Sequence, residues 1–227
     1  FGEGGAGTFS DGKLTSRVKN PYTEWVKKSF FDAGAPSEIL TDAKPHIGTD
    51  RLREVVVNLR KKLMDLGCEV RFEAKVTDFL IQRGKVEGVI VNGKEEIKTD
   101  HLILATGQST EDTCVKLCDL GVRIEPKPFA IGLRVEHPQS LINAVQYGKW
   151  RGHPDLPPAD YFLTAKLADM KRSVYSFCMC PGGSVIGCSS EEGGVVTNGM
   201  SRHLRGSPYA NSAVVVTVHI EDFKDMA

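Results

Sequence analysis

The stretch His101-Leu102-Ile103-Leu104-Ala105-Thr106-Gly107 decides the fold that the sequence predicts. Its residues 102–105 form an uninterrupted apolar run, which is typical of a strand buried on both faces of a parallel sheet. Thr106 and Gly107 then stand at the carboxyl end of that strand, where open α/β sheets bind their ligands. A glycine there lets the backbone approach a ligand without an intervening side chain. The run therefore predicts a ligand site at its end.

A three-stranded meander is predicted directly before this run. Its strands are residues 76–82, 86–91 and 95–98, joined by Arg83-Gly84 and by Asn92-Gly93. Asn-Gly between alternating apolar residues is a strong hairpin signal, because both residues tolerate positive φ.

Two helices and one further strand are predicted upstream of the meander. Residues 21–34 read as a helix with a proline in its first turn and a glycine at its end. A second helix begins at Thr49 or Asp50, either of which can cap it, and runs to Leu66 with apolar residues at three- and four-residue steps. Apolar and charged residues alternate over 68–72, which predicts a strand, and we expect it to lie parallel to residues 102–105. The inward-facing positions are Trp25, Val26, Ser29 and Phe30 in the first helix and Leu52, Val55, Val56, Leu59, Leu63 and Leu66 in the second.

The composition changes after Gly107, where short β-like runs alternate with loops rich in proline and glycine. This spacing predicts a mainly antiparallel unit. We therefore expect an α/β protein, α+β overall, with domains at residues 1–107 and 108–227. The expected elements of the second domain are a helix from Ser109 or Thr110 to Leu120, a helix at 140–147, and strands at 122–124, 129–136, 161–167, 174–180, 184–188 and 213–220.

The bulk composition excludes several classes of protein. The chain has 227 residues with 29 Lys+Arg against 29 Asp+Glu, so it has no net positive field to attract nucleic acid or an anionic membrane. No apolar run approaches the roughly 20 residues that span a bilayer. The six cysteines do not form the paired CxxC spacing of a zinc site, so we expect no metal, reduced thiols and a cytoplasmic location.

Several long stretches resemble one family of flavoproteins, the uncharacterised FAD-dependent dehydrogenases of the two-dinucleotide-binding-domain superfamily. The helix, strand, meander and LILATG run together are similar to the FAD-binding domain of that superfamily. The stretches that carry the resemblance are FGEGGAGTFSDGKL (1–14), KPHIGTDRLREVVVNLR (44–60), KPFAIGLRVEHPQ (127–139), CMCPGG (178–183) and SSEEGGVVTNGMS (189–201).

The resemblance implies a partial Rossmann-like FAD-binding domain with an inserted, β-rich substrate-side domain. Its nucleotide-binding GxGxxG unit would lie upstream of Phe1, and its closing FAD segment would follow Ala227, so we expect truncation at both ends. The opening glycines would lie along FAD; from composition alone they are either an anion-binding loop or a flexible loop. The residues that the resemblance places at FAD are Gly4, Gly5, Ala6, Gly7, Thr8, Val76 (facing the adenine), Ala105, Thr106 and Gly107. The candidates on the substrate side are Lys13, Glu191, Glu192 and Asn198, each of which also reads as an ordinary surface or hairpin residue.

The implied activity is that of a FAD-dependent oxidoreductase, with hydride passing through the flavin to or from an unidentified small molecule. NAD(P)H is the expected electron partner. Two alternatives stay open: a non-catalytic remnant or binding module that keeps the fold without the cofactor, and a tRNA-modifying flavoprotein. The pattern assigns no catalytic acid or base and no oligomeric state. Pro181-Gly182-Gly183 reads as a turn beside Cys180, and His46 reads as a side chain that satisfies loop backbone.

Overall fold

The computed structural model describes residues 2–16, 18–107, 110–167, 172–189 and 192–223 and has an α+β architecture. The chain divides into two compact units. The larger comprises Phe1–Asp65 and Pro128–Ala227, and the smaller is Leu66–Lys127. This division does not coincide with the expected boundary at Gly107, because the meander and the helix that follows it share a core of their own.

The smaller unit contains the predicted meander. Its strands β1 (Val76–Gln82), β2 (Lys85–Val91) and β3 (Glu95–Lys98) pair antiparallel in sequence order. Asn92 and Gly93 have φ of 52° and 67°, as the turn prediction requires. The buried residues of this core are Phe79, Val89 and Val91, and Leu117 of helix α1 (Glu111–Asp119) packs against them.

The prediction of two parallel strands, at residues 68–72 and 102–105, is wrong. Residues 68–72 and 102–105 belong to no strand, and every strand pairing among the described residues is antiparallel. A strand needs a neighbour that accepts and donates its ladder of hydrogen bonds, and no described strand pairs with either segment. The apolar run is consequently irregular, and Ile103 is 91% exposed.

The helical part of the larger unit packs around Ile39, Ile47 and Val55. Helix α2 (Tyr22–Asp32) and helix α3 (Thr49–Asp65) confirm the two predicted helices. The inner face predicted for α2 is partly wrong: Phe30 packs against this core, whereas Trp25 and Val26 are exposed. Only the end of α2 reaches the core, because the chain turns back at Ala33 and Gly34.

The β-rich part of the larger unit is antiparallel, as predicted. Its elements are β4 (Phe129–Pro138), α4 (Gln139–Tyr147), β5 (Thr164–Leu167), β6 (Arg172–Cys180), β7 (Gly183–Gly187), β8 (Thr197–Ser201) and β9 (Tyr209–Val218). One sheet has the strand order β4-β9-β6-β5, and β7 and β8 form a separate hairpin. The predicted turn at Pro181 and Gly182 joins β6 to β7, while no strand forms at 122–124. Among the described residues, none of the helices has the length and apolar character to span a bilayer.

Candidate functional site

The opening glycine loop is a defined structure. Residues Gly5–Thr8 form one turn of 3-10 helix, and Thr8 is buried. Gly4 precedes that turn with φ of 81°, and a Cβ at this position would lie 2.2 Å from the Thr8 hydroxyl. The conformation and the close contact both require glycine there. On its inner side the loop is bonded to α3, because the Thr49 hydroxyl donates to the Thr8 carbonyl over 2.7 Å.

Residues of β8 and of the turn after it also contact the opening segment and the start of α3. The Asn198 side-chain amide donates to the Phe9 carbonyl over 3.3 Å. The Asp50 carboxylate accepts the His203 backbone N–H over 2.8 Å. Thr49 and Asp50, expected as alternative helix caps, therefore bond to the two loops that flank the helix start.

A buried carboxylate lies where these segments meet. Asp11 has a side chain only 2% exposed, and Arg205 holds it with two bonds, Nη2 to Oδ2 at 2.6 Å and Nε to Oδ1 at 3.1 Å. Lys13 and the Ser201 hydroxyl also donate to the same carboxylate. We call these four residues the Asp11 cluster.

The charge of the cluster fixes the protonation state of its carboxyl group. Burial alone raises the pKa of Asp11, but the bonds and positive charges of Arg205 and Lys13 outweigh it and lower the pKa to about 2. Asp11 is therefore a carboxylate at neutral pH. One negative charge faces two cations, so the cluster carries a net positive charge.

Lys13, predicted on the substrate side, connects the opening loop to the end of β6. Its ammonium donates to Asp11 and to the Met179 carbonyl at 2.6 Å, and it lies 4.0 Å from the Cys180 sulfur. An ammonium has three donors, so these contacts engage all of them. The side chain is nevertheless 33% exposed, which leaves it within reach of a ligand.

Cys180 is buried beside this lysine. Burial raises the pKa of the Cys180 thiol, against the smaller opposing effect of Lys13. The thiol is therefore protonated at neutral pH, which argues against the nucleophilic thiolate that a redox role requires.

Arg134 extends the polar contacts from β4 to β9. Its Nη1 donates to the Asn211 side-chain oxygen at 2.7 Å and to the Cys178 carbonyl at 3.3 Å. Gly199 of β8 faces this pair, and a Cβ there would lie 2.2 Å from the Asn211 oxygen and 2.4 Å from Arg134 Nη1. Gly199 thus allows β8 to pack directly on the arginine.

His46 satisfies loop backbone, as predicted. Its Nε2 lies 2.9 Å from the His203 carbonyl oxygen, and the two imidazole rings stack with centroids 5.3 Å apart. Burial lowers the pKa of His46, so the neutral ring is favoured.

The other predicted site residues are distributed over both units. Glu192 is exposed on the connection between β7 and β8, and Glu191 lies outside the described residues. Val76 is a strand residue of the smaller unit that pairs with Val91, and Ala105, Thr106 and Gly107 are exposed, irregular residues of the same unit. Within the larger unit, the structure brings the glycine loop, Lys13 and Asn198 together.

Sequence reasoning missed Asp11, Arg205 and Asn211. Asp11 was inside the FGEGGAGTFSDGKL stretch, but a single Asp between Ser and Gly also reads as a turn residue. Its partner Arg205 is 194 positions away, and no local pattern links residues at that separation.

Comparison with known proteins supports a flavoprotein family. Residues 128–227 match the family model described as "FAD-dependent protein, C-terminal domain-like". Over 224 residues, 99% of this chain, the sequence is 52% identical to a protein of Clostridium beijerinckii (strain ATCC 51743 / NCIMB 8052) described as "Uncharacterized protein". The chain spans 42% of the length of that relative.

Proposed function

We propose that this chain is part of a FAD-dependent oxidoreductase in which Gly4–Thr8 lie along the cofactor. When bound, FAD supplies the hydride chemistry, while the protein positions it and a small-molecule substrate. The match of residues 128–227 to a FAD-dependent family carries the proposal. Val76, expected at the adenine, and residues 105–107, expected along the dinucleotide, belong to the smaller unit, and their contact with the cofactor stays a prediction.

The contacts of the larger unit support a role for the glycine loop. The loop is bonded on one side to α3 through Thr49, and the Phe9 carbonyl after it is bonded to Asn198, within the region that matches the family. Its outer position Gly7 remains exposed, and a Cβ there would meet no atom within 4 Å. Because these hydrogen bonds already order the loop, its exposed backbone can contact a ligand with little further loss of conformational entropy.

The substrate side of the proposal consists of Lys13, Glu191, Glu192 and Asn198. Asp11 has a positioning role there, because it orients the Lys13 ammonium beside the loop. The proposal keeps NAD(P)H as the electron partner and an unidentified small molecule as the substrate.

A pair of matched variants tests the placement of the loop. At Gly7 and at Gly187 an added Cβ would meet no atom within 4 Å, and neither glycine has positive φ. Gly7→Leu and Gly187→Leu in the natural full-length protein should therefore both fold. Only Gly7 is proposed to adjoin FAD, so G7L should lose most of its flavin while G187L keeps it.

The readout is the flavin that co-purifies with each protein, released by denaturation and identified by chromatography. Folding of each variant is checked by circular dichroism. A natural protein that holds no flavin would refute the proposed function. A G7L variant with full flavin content would refute the position of the loop but not the flavoprotein assignment.

A further inference from the structure

The larger unit contains a cleft of about 450 Å³ that the proposed flavin site does not use. It lies between the start of α3, the beginning of β7, the end of β8 and the turn that follows. This volume falls within the range of sites for small molecules. The lining residues are Thr49, Gly182, Gly183, Ser184, Met200, Ser201, Arg202, Leu204, Gly206 and Ser207.

The wall of the cleft is held in place by backbone packing. A Cβ at Gly182 would lie 1.6 Å from the Arg205 carbonyl oxygen, so the β6–β7 turn and the loop after β8 touch main chain to main chain. The Ser207 N–H donates to the Gly182 carbonyl over 3.2 Å, and the Gly182 N–H donates to Gln139 over 2.8 Å. The cleft is therefore formed before any ligand binds.

Four hydroxyl groups line this space; two already donate hydrogen bonds within the protein, and two have a hydrogen available for a ligand. Thr49 and Ser201 already donate to the Thr8 carbonyl and to Asp11. Ser207 accepts the Tyr209 N–H over 3.3 Å, which leaves its own hydrogen available. Ser184 is exposed, and its hydroxyl has no hydrogen bond to the described part of the chain.

The cleft also carries one unbalanced positive charge. The Arg202 guanidinium is exposed and forms no ion pair with any described residue. No acidic side chain lines the cleft. Asp50 follows the lining residue Thr49 but does not itself line the cleft, and its carboxylate accepts the His203 N–H.

We propose that this cleft binds a small phosphate monoester. A phosphate presents several strong acceptor oxygens, and the donors that bind it are the kinds that line this cleft: the guanidinium of Arg202 and the hydroxyls of Ser184 and Ser207. Met200 and Leu204 supply apolar surface for the organic part of the ligand. No aromatic side chain lines the cleft, so stacking of a base plays no part in recognition.

The proposal is tested by titrating the natural full-length protein with inorganic phosphate and, separately, with acetate, at constant ionic strength in an isothermal calorimeter. We expect saturable phosphate binding that Arg202→Gln weakens at least about tenfold, the usual effect of losing one charge-assisted bond. Arg151→Gln is the control, because it removes an exposed arginine outside the cleft. Its phosphate affinity should equal that of the wild type.

A second pair of variants keeps the test independent of the arginine. Gly206→Leu adds a side chain where a Cβ meets no atom within 4 Å, and it should reduce binding by filling the cleft. Gly187→Leu, equally free of contacts, should not. Absent phosphate binding in the wild type, equal affinities of R202Q and R151Q, unaltered binding in G206L, or equally tight acetate binding would each overturn the proposal. The flavin content of the same preparations reports separately on the proposed oxidoreductase.

Discussion

Asp11 is the residue on which the contacts of the candidate site converge. Its carboxylate joins the opening loop to Ser201 and Arg205, almost two hundred positions later in the chain. A buried charge of this kind is stable only while its partners are present, because removing one partner leaves the opposite charge buried without compensation.

Asp11→Asn should therefore destabilise the protein strongly. The substitution removes the only negative charge of the Asp11 cluster and leaves Arg205, a side chain only 14% exposed, without its carboxylate. We expect a loss of about 3–5 kcal/mol in the free energy of unfolding, measured in urea. The control is Asp32→Asn, which breaks an exposed pair with Lys28 and should cost less than about 1 kcal/mol. Equal losses in D11N and D32N would contradict a structural role for the cluster.

The same comparison has a defined pH dependence. The pKa of Asp11 is about 2 in the folded protein, against an ordinary value of 3.8. A lowered carboxyl pKa stabilises the folded state fully above the ordinary value, and this contribution is lost as the pH falls through the folded value. It amounts to about 2 kcal/mol. The difference between wild type and D11N should thus shrink by roughly that amount from pH 4 to pH 2.

Single residues were predictable from the sequence where their signal is local. His46 was expected to satisfy loop backbone and does so, but the sequence did not identify its partner His203, which is 157 positions away. Gly93 was expected to have positive φ, and it does. Arg205 and Asn211 were not foreseen, because their importance comes from partners far away in the chain.

At the scale of elements, the prediction of helices and hairpins is confirmed, whereas the prediction of two parallel strands is wrong. Helix α3 carries its own periodicity, and the β1–β2–β3 meander carries its own turns, so both form from local information. Residues 102–105 are apolar enough for a buried strand, yet pairing depends on neighbours that local sequence does not specify. Strand β8 shows the converse. Its TNGMS sequence has little β propensity, and it is a strand because it pairs with β7.

Strand β4 has an unusual amount of exposed apolar surface. It is an edge strand of the four-stranded sheet. Ile131 and Leu133, at alternate positions on one face, are 58% and 79% exposed. Long edge strands with apolar side chains favour pairing between chains.

Leu133→Lys should lower the tendency of the protein to self-associate without weakening its fold. The leucine contributes little buried surface, so the free energy of unfolding should change by less than about 0.5 kcal/mol, whereas a lysine on an edge strand opposes association. Light scattering as a function of concentration measures the effect. Val145→Lys, at a 72% exposed position of α4, adds the same charge away from the sheet. If V145K reduced scattering as much as L133K, net charge would explain the change and β4 would not.

At the scale of the whole molecule, the chain spans 42% of the length of its Clostridium beijerinckii relative. The described residues contain no parallel β-α-β unit. Such a unit is what binds the pyrophosphate of a dinucleotide in the family that the sequence resembles. Flavin binding by the whole protein and by residues 1–227 are therefore separate questions.

Residues 1–227 alone should bind FAD weakly or not at all, whereas the natural full-length protein should hold it stoichiometrically. In the proposed placement Gly4–Thr8 lie along the cofactor, but the pyrophosphate of a dinucleotide is bound at the helix N-terminus of a β-α-β unit. Both proteins are titrated with FAD and followed by flavin absorbance and fluorescence, after circular dichroism has shown that the shorter chain is folded. Stoichiometric flavin on residues 1–227 would mean that this chain is sufficient for dinucleotide binding, and the role given to a parallel β-α-β unit would then be wrong.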